Sequence, residues 1–133
     1  MAVIIADTDI LIDYLNDRSP VAERVAELIQ TESLQTSSIN CFELLSGARP
    51  GKRGDRARHL VENIAVLPLD LASAKRAAEI RQSLEAGGDA IGMADSLIAG
   101  IALANDLPLM TRNRKHFEAV EGLRLVPVDV SRD

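Results

Sequence analysis

Apolar positions along this chain follow two periods, and the switches between them mark its elements. Val3-Ile4-Ile5-Ala6 is a β-branched apolar run that stops at Asp7, which predicts a short buried strand with Asp7 at its C-terminal end. From Thr8 the spacing becomes helical, with Ile10, Leu11, Tyr14 and Leu15 on one face and Asp9, Asp13 and Asn16 toward the other. Ser19-Pro20 reads as a cap and first-turn proline opening a second helix on Val21, Val25, Leu28 and Ile29. Leu34 to Ile39 alternates weakly and predicts a second strand. Asn40 then caps a helix carrying Phe42, Leu44 and Leu45, which ends near Gly47 and Pro50.

A basic, glycine-bearing connection, Arg49-Pro50-Gly51-Lys52-Arg53-Gly54, leads into a helix with Arg56, Arg58 and His59. Ala65-Val66-Leu67 predicts a third strand. A long helix from Leu71 to Leu84 follows, with Ala74, Ala77, Ala78 and Ile80 inward, ended by Gly87-Gly88. Met93 to Ala104 reads as a helix rich in small residues, Leu107 to Met110 as a strand, Asn113 to Val120 as a short helix and Leu125-Val126-Pro127 as a last strand. No repeat, low-complexity tract or linker interrupts this series. Strands separated by helices imply parallel crossovers, hence a three-layer α/β/α sandwich around a mostly parallel sheet of about five strands. Such sheets bind ligands beyond their C-terminal strand ends, at the switch point.

Composition narrows the chemistry. With 133 residues and 47% hydrophobic content, one domain over 1–133 can bury its own core. No run approaches the roughly 20 apolar residues of a membrane span, and the start lacks a basic leader, so a cytoplasmic protein without membrane attachment is expected. Cys41 is the only cysteine, which excludes an intrachain disulfide, a CxxC pair and a zinc knuckle; packing is its expected role. The net charge of -5 argues against holding duplex nucleic acid by bulk electrostatics. It leaves room for an enzyme gripping a short single strand, because bound divalent cations reverse the local sign where carboxylates cluster.

Asp7, Asp9, Glu43, Asp95, Asn113 and His116 all fall just after a strand or at the start of the following helix. Each has a bland reading: Asp9 as solvated first-turn charge, Asn40-x-x-Glu43 as a capping box, Asp95 as a helix-dipole carboxylate, His116 as a surface residue. Asp95, however, shares a face with Ile98, Ala99 and Ala102, which should pack inward. A carboxylate there needs compensation, and several facing one another repel unless a cation sits between them. Hard oxygen donors favour Mg2+ or Mn2+ over zinc. Magnesium on carboxylates suits phosphodiester hydrolysis. No Ser-His-Asp grouping, GxGxxG or P-loop appears.

Asp7-Thr8-Asp9, Asn40-Cys41-Phe42-Glu43-Leu44, Ala94-Asp95-Ser96-Leu97-Ile98-Ala99 and Thr111-Arg112-Asn113-Arg114-Lys115-His116-Phe117 together resemble the PIN-domain nucleases. Their order, spacing and chain length resemble the VapC toxins of bacterial toxin-antitoxin pairs. The resemblance covers essentially the whole chain. It implies a Mg2+-dependent endoribonuclease directed at single strands, usually a homodimer. It also implies a cognate VapB-type antitoxin whose C-terminal segment blocks the acidic pocket, giving a heterotetramer or larger assembly.

Asp7, Glu43 and Asp95 carry over as the catalytic, metal-binding core. Asp9 stands where relatives often have asparagine, while Thr8 and Thr111 orient carboxylates. The family's fourth position, often acidic, falls at Asn113 or His116, and a neutral or cationic residue there favours one tightly held Mg2+ over two. Lys52, Arg53, Arg56, Arg112, Arg114 and Lys115 are the expected RNA backbone contacts, with solvated surface charge as their bland reading. Two other classes remain in view. A haloacid dehalogenase-type phosphatase would use Asp7-x-Asp9 but lacks a suitably spaced downstream Lys and acidic pair. A non-enzymatic receiver-like signalling domain would need Asp70 as phosphoacceptor and a Lys ending the last strand.

Overall fold

The computed structural model describes residues 2–128. Twelve elements follow one another: β1 (Ile4–Ala6), α1 (Thr8–Leu15), α2 (Val21–Gln30), β2 (Leu34–Ser37), α3 (Ser38–Ser46), α4 (Lys52–Asn63), β3 (Ala65–Leu67), α5 (Leu71–Ala86), α6 (Met93–Ala104), β4 (Leu109–Met110), α7 (Arg114–Phe117) and β5 (Leu125–Val126). The strands form one five-stranded sheet in the order β3-β2-β1-β4-β5, and every pair is parallel. The chain runs outward from β1 through β2 to β3, then returns to the other side of β1 for β4 and β5. The order therefore reverses beside β1, and the crevice beyond β1 and β4 is where a ligand belongs.

Alternation along the short strands separates two apolar layers. Ile4, Ala6 and Met110 pack with Ile10, Leu11, Val25 and Leu28, burying α1 and α2 against one face. Ile5 and Leu109 face Ile98, Ala102 and Phe117 on the other. Ile5, Ile10, Leu11, Ile98 and Leu109 are wholly inaccessible, each burial giving about 1.5–3 kcal/mol relative to an exposed side chain. Helix α6 lies close to α5 because Gly100 has no side chain: a Cβ there would stand 2.6 Å from the Ser73 carbonyl oxygen and 2.8 Å from Ala77 Cβ. Among the described residues, no helix is long and apolar enough to cross a membrane.

Local details depart from the sequence-based expectations. Pro20 is itself the N-cap of α2 and offers no side-chain bond. The Ser19 hydroxyl donates instead to Glu23 Oε2 at 2.6 Å. Ser37, not Asn40, caps α3, its Oγ accepting from the Asn40 N–H at 3.1 Å. Ser73 joins Ala77 and Ile80 as the buried side of α5, and Ala78 is exposed. Strand β4 begins at Leu109 rather than Leu107, because Pro108 has no N–H to give a ladder. Asp13, expected on the solvent side of α1, is 3% exposed.

Candidate active site

Asp7 leaves the central strand β1 at its C-terminal end and immediately caps α1, its Oδ1 accepting from the Thr8 N–H at 2.8 Å. An Asp suits this position because the first-turn N–H groups of a helix need an acceptor. Two further donors fix it. Asn40 Nδ2 reaches Oδ1 at 2.9 Å and Thr111 Oγ1 reaches Oδ2 at 2.6 Å. These arrive from the ends of the two flanking strands: α3 follows β2, and Thr111 follows β4.

Glu43 is one turn beyond Asn40 on α3, but it does not close a capping box. Its Oε1 accepts from Thr8 Oγ1 at 2.6 Å, and Asn40 Nδ2 also donates to that hydroxyl at 2.9 Å. The expected cap residue is thus a buried clamp, held in turn by Ser37 Oγ on its Oδ1 at 2.6 Å. Asp95 comes from the first turn of α6, behind an N-cap, Gly92, that supplies no side-chain bond. His116 Nδ1 lies 3.0 Å from Asp95 Oδ2. Asn113 and His116 both border the cleft, and the Asn113 backbone N–H donates to Thr111 Oγ1 at 3.0 Å.

Asp7, Thr8, Asp9, Glu43, Asp95, Asn113 and His116 line one open cleft of about 620 Å³, together with Ile12 and the stretch from Gly92 to Ala94. No lysine or arginine borders it among the described residues. The electrostatic consequences are visible in two carboxyls. Burial pushes Asp95 up from its ordinary value; His116 pulls it down, and Asp7 and Glu43 push it up further. Asp9 is likewise raised, by burial and then by Asp7, against the lowering effect of the Arg112 N–H and charge. The Arg112 N–H donates to Asp9 Oδ2 at 2.9 Å, and buried Asp9 Oδ1 has no hydrogen-bond partner. An all-oxygen donor set, mutual repulsion and an orphaned buried oxygen are what a hard divalent cation relieves. As placed, no group of three or more such side chains closes around a point among the described residues. Thr8 and His116 hold Glu43 and Asp95 instead.

The basic residues divide. Arg53 lines a groove beside the cleft that also includes Ile12 and Glu43. Lys52 and Lys115 are exposed. Arg56 donates to the Leu15 carbonyl at 2.8 Å, which satisfies the C-terminal end of α1. Arg112 is a half-exposed strut: its Nε lies 2.8 Å from Asp13 Oδ2 and its Nη2 3.2 Å from Oδ1. Asp13, Asn40 and Arg18 also shape the site, in roles that their local sequence does not mark. The i, i+4 spacing of Asp9 and Asp13 could have flagged one of them; the partner 99 residues away leaves no local signal. Asp70 caps α5 through the Ser73 N–H at 2.9 Å, and the Ser73 side chain and then its N–H hold the Asp70 carboxyl below its ordinary value. Its place in the fold is that of a helix cap.

A parallel sheet with a carboxylate ending its central strand, and two more brought from the flanking helices, defines an acidic-cleft nuclease fold. The PIN domain pattern matches residues 4–123, and the chain belongs to that family, among its VapC-type members. It is 32% identical over 122 residues to a tRNA(fMet)-specific endonuclease VapC of Shigella flexneri, covering 89% of this chain and 92% of the relative. Ribonuclease VapC10 of Mycobacterium tuberculosis is 30% identical over 122 residues, with 92% and 91% covered. The DNA-bound VapBC crystal structure from Salmonella typhimurium superposes with a TM-score of 0.78 at 28% identity, covering 95% of this chain and 98% of that one. Neither the phosphatase nor the receiver reading finds support in these likenesses.

Proposed function

We propose that this chain, as a single PIN domain over 1–133, is a Mg2+-dependent endoribonuclease and the toxin of a toxin-antitoxin pair. The observation that carries the reading is the cleft in which Asp7, Glu43 and Asp95 meet with no arginine or lysine to neutralise them. Asp7 and Asp95 would hold the metal, with Glu43 as the third carboxylate. When bound, the ion polarises the phosphoryl oxygen and makes a water nucleophilic near neutral pH. Mn2+ has the same preference for oxygen donors and can replace it.

The chain's own residues set the stage for that ion. Thr111 and Asn40 keep Asp7 from rotating, and Thr8 keeps Glu43 within the cleft. His116 holds Asp95 and supplies positive charge at the fourth corner when protonated, which favours a single metal. VapC relatives and VapBC complexes support an RNA substrate and a VapB-type antitoxin; a homodimer that pairs with the antitoxin as a heterotetramer or larger, in the cytoplasm, completes the proposal. Exposed Phe42 and Met93, 70% and 65% accessible, offer apolar surface for such partners.

Cleavage of a labelled single-stranded RNA tests the enzyme reading. EDTA should abolish it, Mg2+ should restore it, and Asp95→Asn should lower it about a thousandfold, as loss of a main electrostatic group does. Metal-independent cleavage, or full activity in Asp95→Asn, overturns the assignment. For the biological role, growth arrest on induction should be relieved by co-expressing a cognate VapB-type antitoxin.

A further inference from the structure

The segment Thr111 to Arg114 borders a second cavity as well as the acidic cleft. Arg18, Ser19, Thr111, Arg112, Arg114 and Val128 are among the residues lining this cavity of about 750 Å³, and Asp13 is the only carboxylate among its described walls. Among the described residues, three guanidinium groups face one carboxylate there, in a chain whose net charge is -5. The three arginines are not equivalent. Arg112 is committed, since its fork is closed on buried Asp13. Arg18 is 62% exposed along its side chain and touches Asp13 Oδ1 only at 3.4 Å, an oxygen that Arg112 already holds. Arg114 is exposed and has no ion-pair partner among the described residues.

A guanidinium presents N–H donors in a planar fork that matches phosphate oxygens. The acidic cleft, by contrast, repels a phosphodiester chain wherever cations do not cover it. An acidic nuclease therefore needs attraction from a neighbouring surface, and Asn113 borders the acidic cleft while Arg112 and Arg114 border the second cavity. We propose that Arg18 and Arg114, with Arg112 fixed between them by Asp13, form a subsite for an RNA backbone phosphate flanking the scissile bond. This rests on the ribonuclease reading above and adds where the strand is gripped. It also reassigns Arg112 from a direct contact to the strut that holds the subsite in place.

The test is binding of a fluorescent oligouridylate of about 12 nucleotides, within the span of known single-strand sites. Anisotropy is read over a range of KCl concentrations, with Mg2+ present and Asp7→Asn as the parent so that the RNA stays intact. Arg18→Glu and Arg114→Glu should each weaken binding about tenfold at moderate salt. Each should also reduce the slope of log affinity against log salt by ~0.7, the value for one phosphate contact on a single strand. Arg81→Glu on α5, which borders neither cavity, removes the same charge and should leave the slope unchanged. Circular dichroism and melting confirm that each variant is folded, with Arg18→Gln as the milder alternative. RNA cleavage by the unsubstituted protein, with equal slopes in all variants, sinks the subsite alone. An equal loss in Arg81→Glu also overturns it, because net charge would then explain the effect. Absence of both binding and cleavage in the unsubstituted protein removes the ribonuclease reading and the subsite with it.

Discussion

Asp9 and Asp13 sit one helical turn apart on α1, yet they belong to clefts of opposite character. Asp13 is the more buried and the better served: Arg112 grips both its oxygens, and Arg18 touches one. Asp9 takes the Arg112 N–H on one oxygen, its other oxygen is buried without a hydrogen-bond partner, and burial and then Asp7 raise its carboxyl. The difference lies in how each charge is compensated. A buried carboxylate closed by arginine is part of the frame. One left beside other carboxylates with an unpartnered oxygen keeps its charge uncompensated. The segment after β4 serves both: Thr111 orients Asp7, the Arg112 N–H reaches Asp9, and the Arg112 side chain ties the segment to Asp13.

This contrast can be broken by exchanging what is removed. Asp7→Asn should lower RNA cleavage about a thousandfold while Asp13→Asn lowers it by no more than about 100-fold, the upper end for groups that do not touch the metal; comparable losses would dissolve the distinction between frame and site. Thr111→Val removes one hydrogen bond to Asp7 and should cost about 10–100-fold in metal affinity or activity, read as a Mg2+ titration of cleavage. Asp13→Ala should destabilise the fold by about 1–3 kcal/mol in urea unfolding, the cost of orphaning donors. The range stays moderate because Arg112 is about half exposed and water can take up its donors.

The smallest expected effect is a pH dependence. Asp9 and Asp95 have raised values in the folded chain. Their contribution to stability is therefore full below the ordinary value of 3.8 and is lost as pH rises through the folded values. Metal-free Asp95→Asn, which cannot ionise there, should melt higher than the parent at neutral pH. That advantage should vanish in acid. It should also shrink when Mg2+ is added, because the ion stabilises the parent by binding its folded state. A lower melting temperature for metal-free Asp95→Asn at neutral pH would show that Asp95 is stabilised by His116 more than it is strained by Asp7 and Glu43.

Much of the architecture was legible along the chain because it depends on local period. The run Val3 to Ala6 and its halt at Asp7 placed the central strand, and helices between all later strands required parallel crossovers. The strand-end rule then drew Asp7, Asp9, Glu43 and Asp95 into one set, and one cleft indeed holds them. The roles within that set were less legible. Asn40-x-x-Glu43 satisfies the spacing of a capping box, but Ser37 takes the cap and leaves both side chains free to meet Thr8. Arg112 and Arg114 look alike as neighbouring basic residues, yet one is a strut and the other is open to solvent.

By itself, then, the sequence determined the alternation of strands and helices, the parallel sheet, and the carboxylates at its C-terminal edge. Apolar periodicity and capping chemistry act over a few residues, and these features need no more. Tertiary structure alone decided which carboxylates are neutralised by arginine and which face one another in the cleft. Those pairings join residues 35, 99 and 104 positions apart, Thr8 with Glu43, Asp13 with Arg112, and Asp7 with Thr111. Burial makes each such partner count, and the packing of β1 between β2 and β4 chooses which partner arrives.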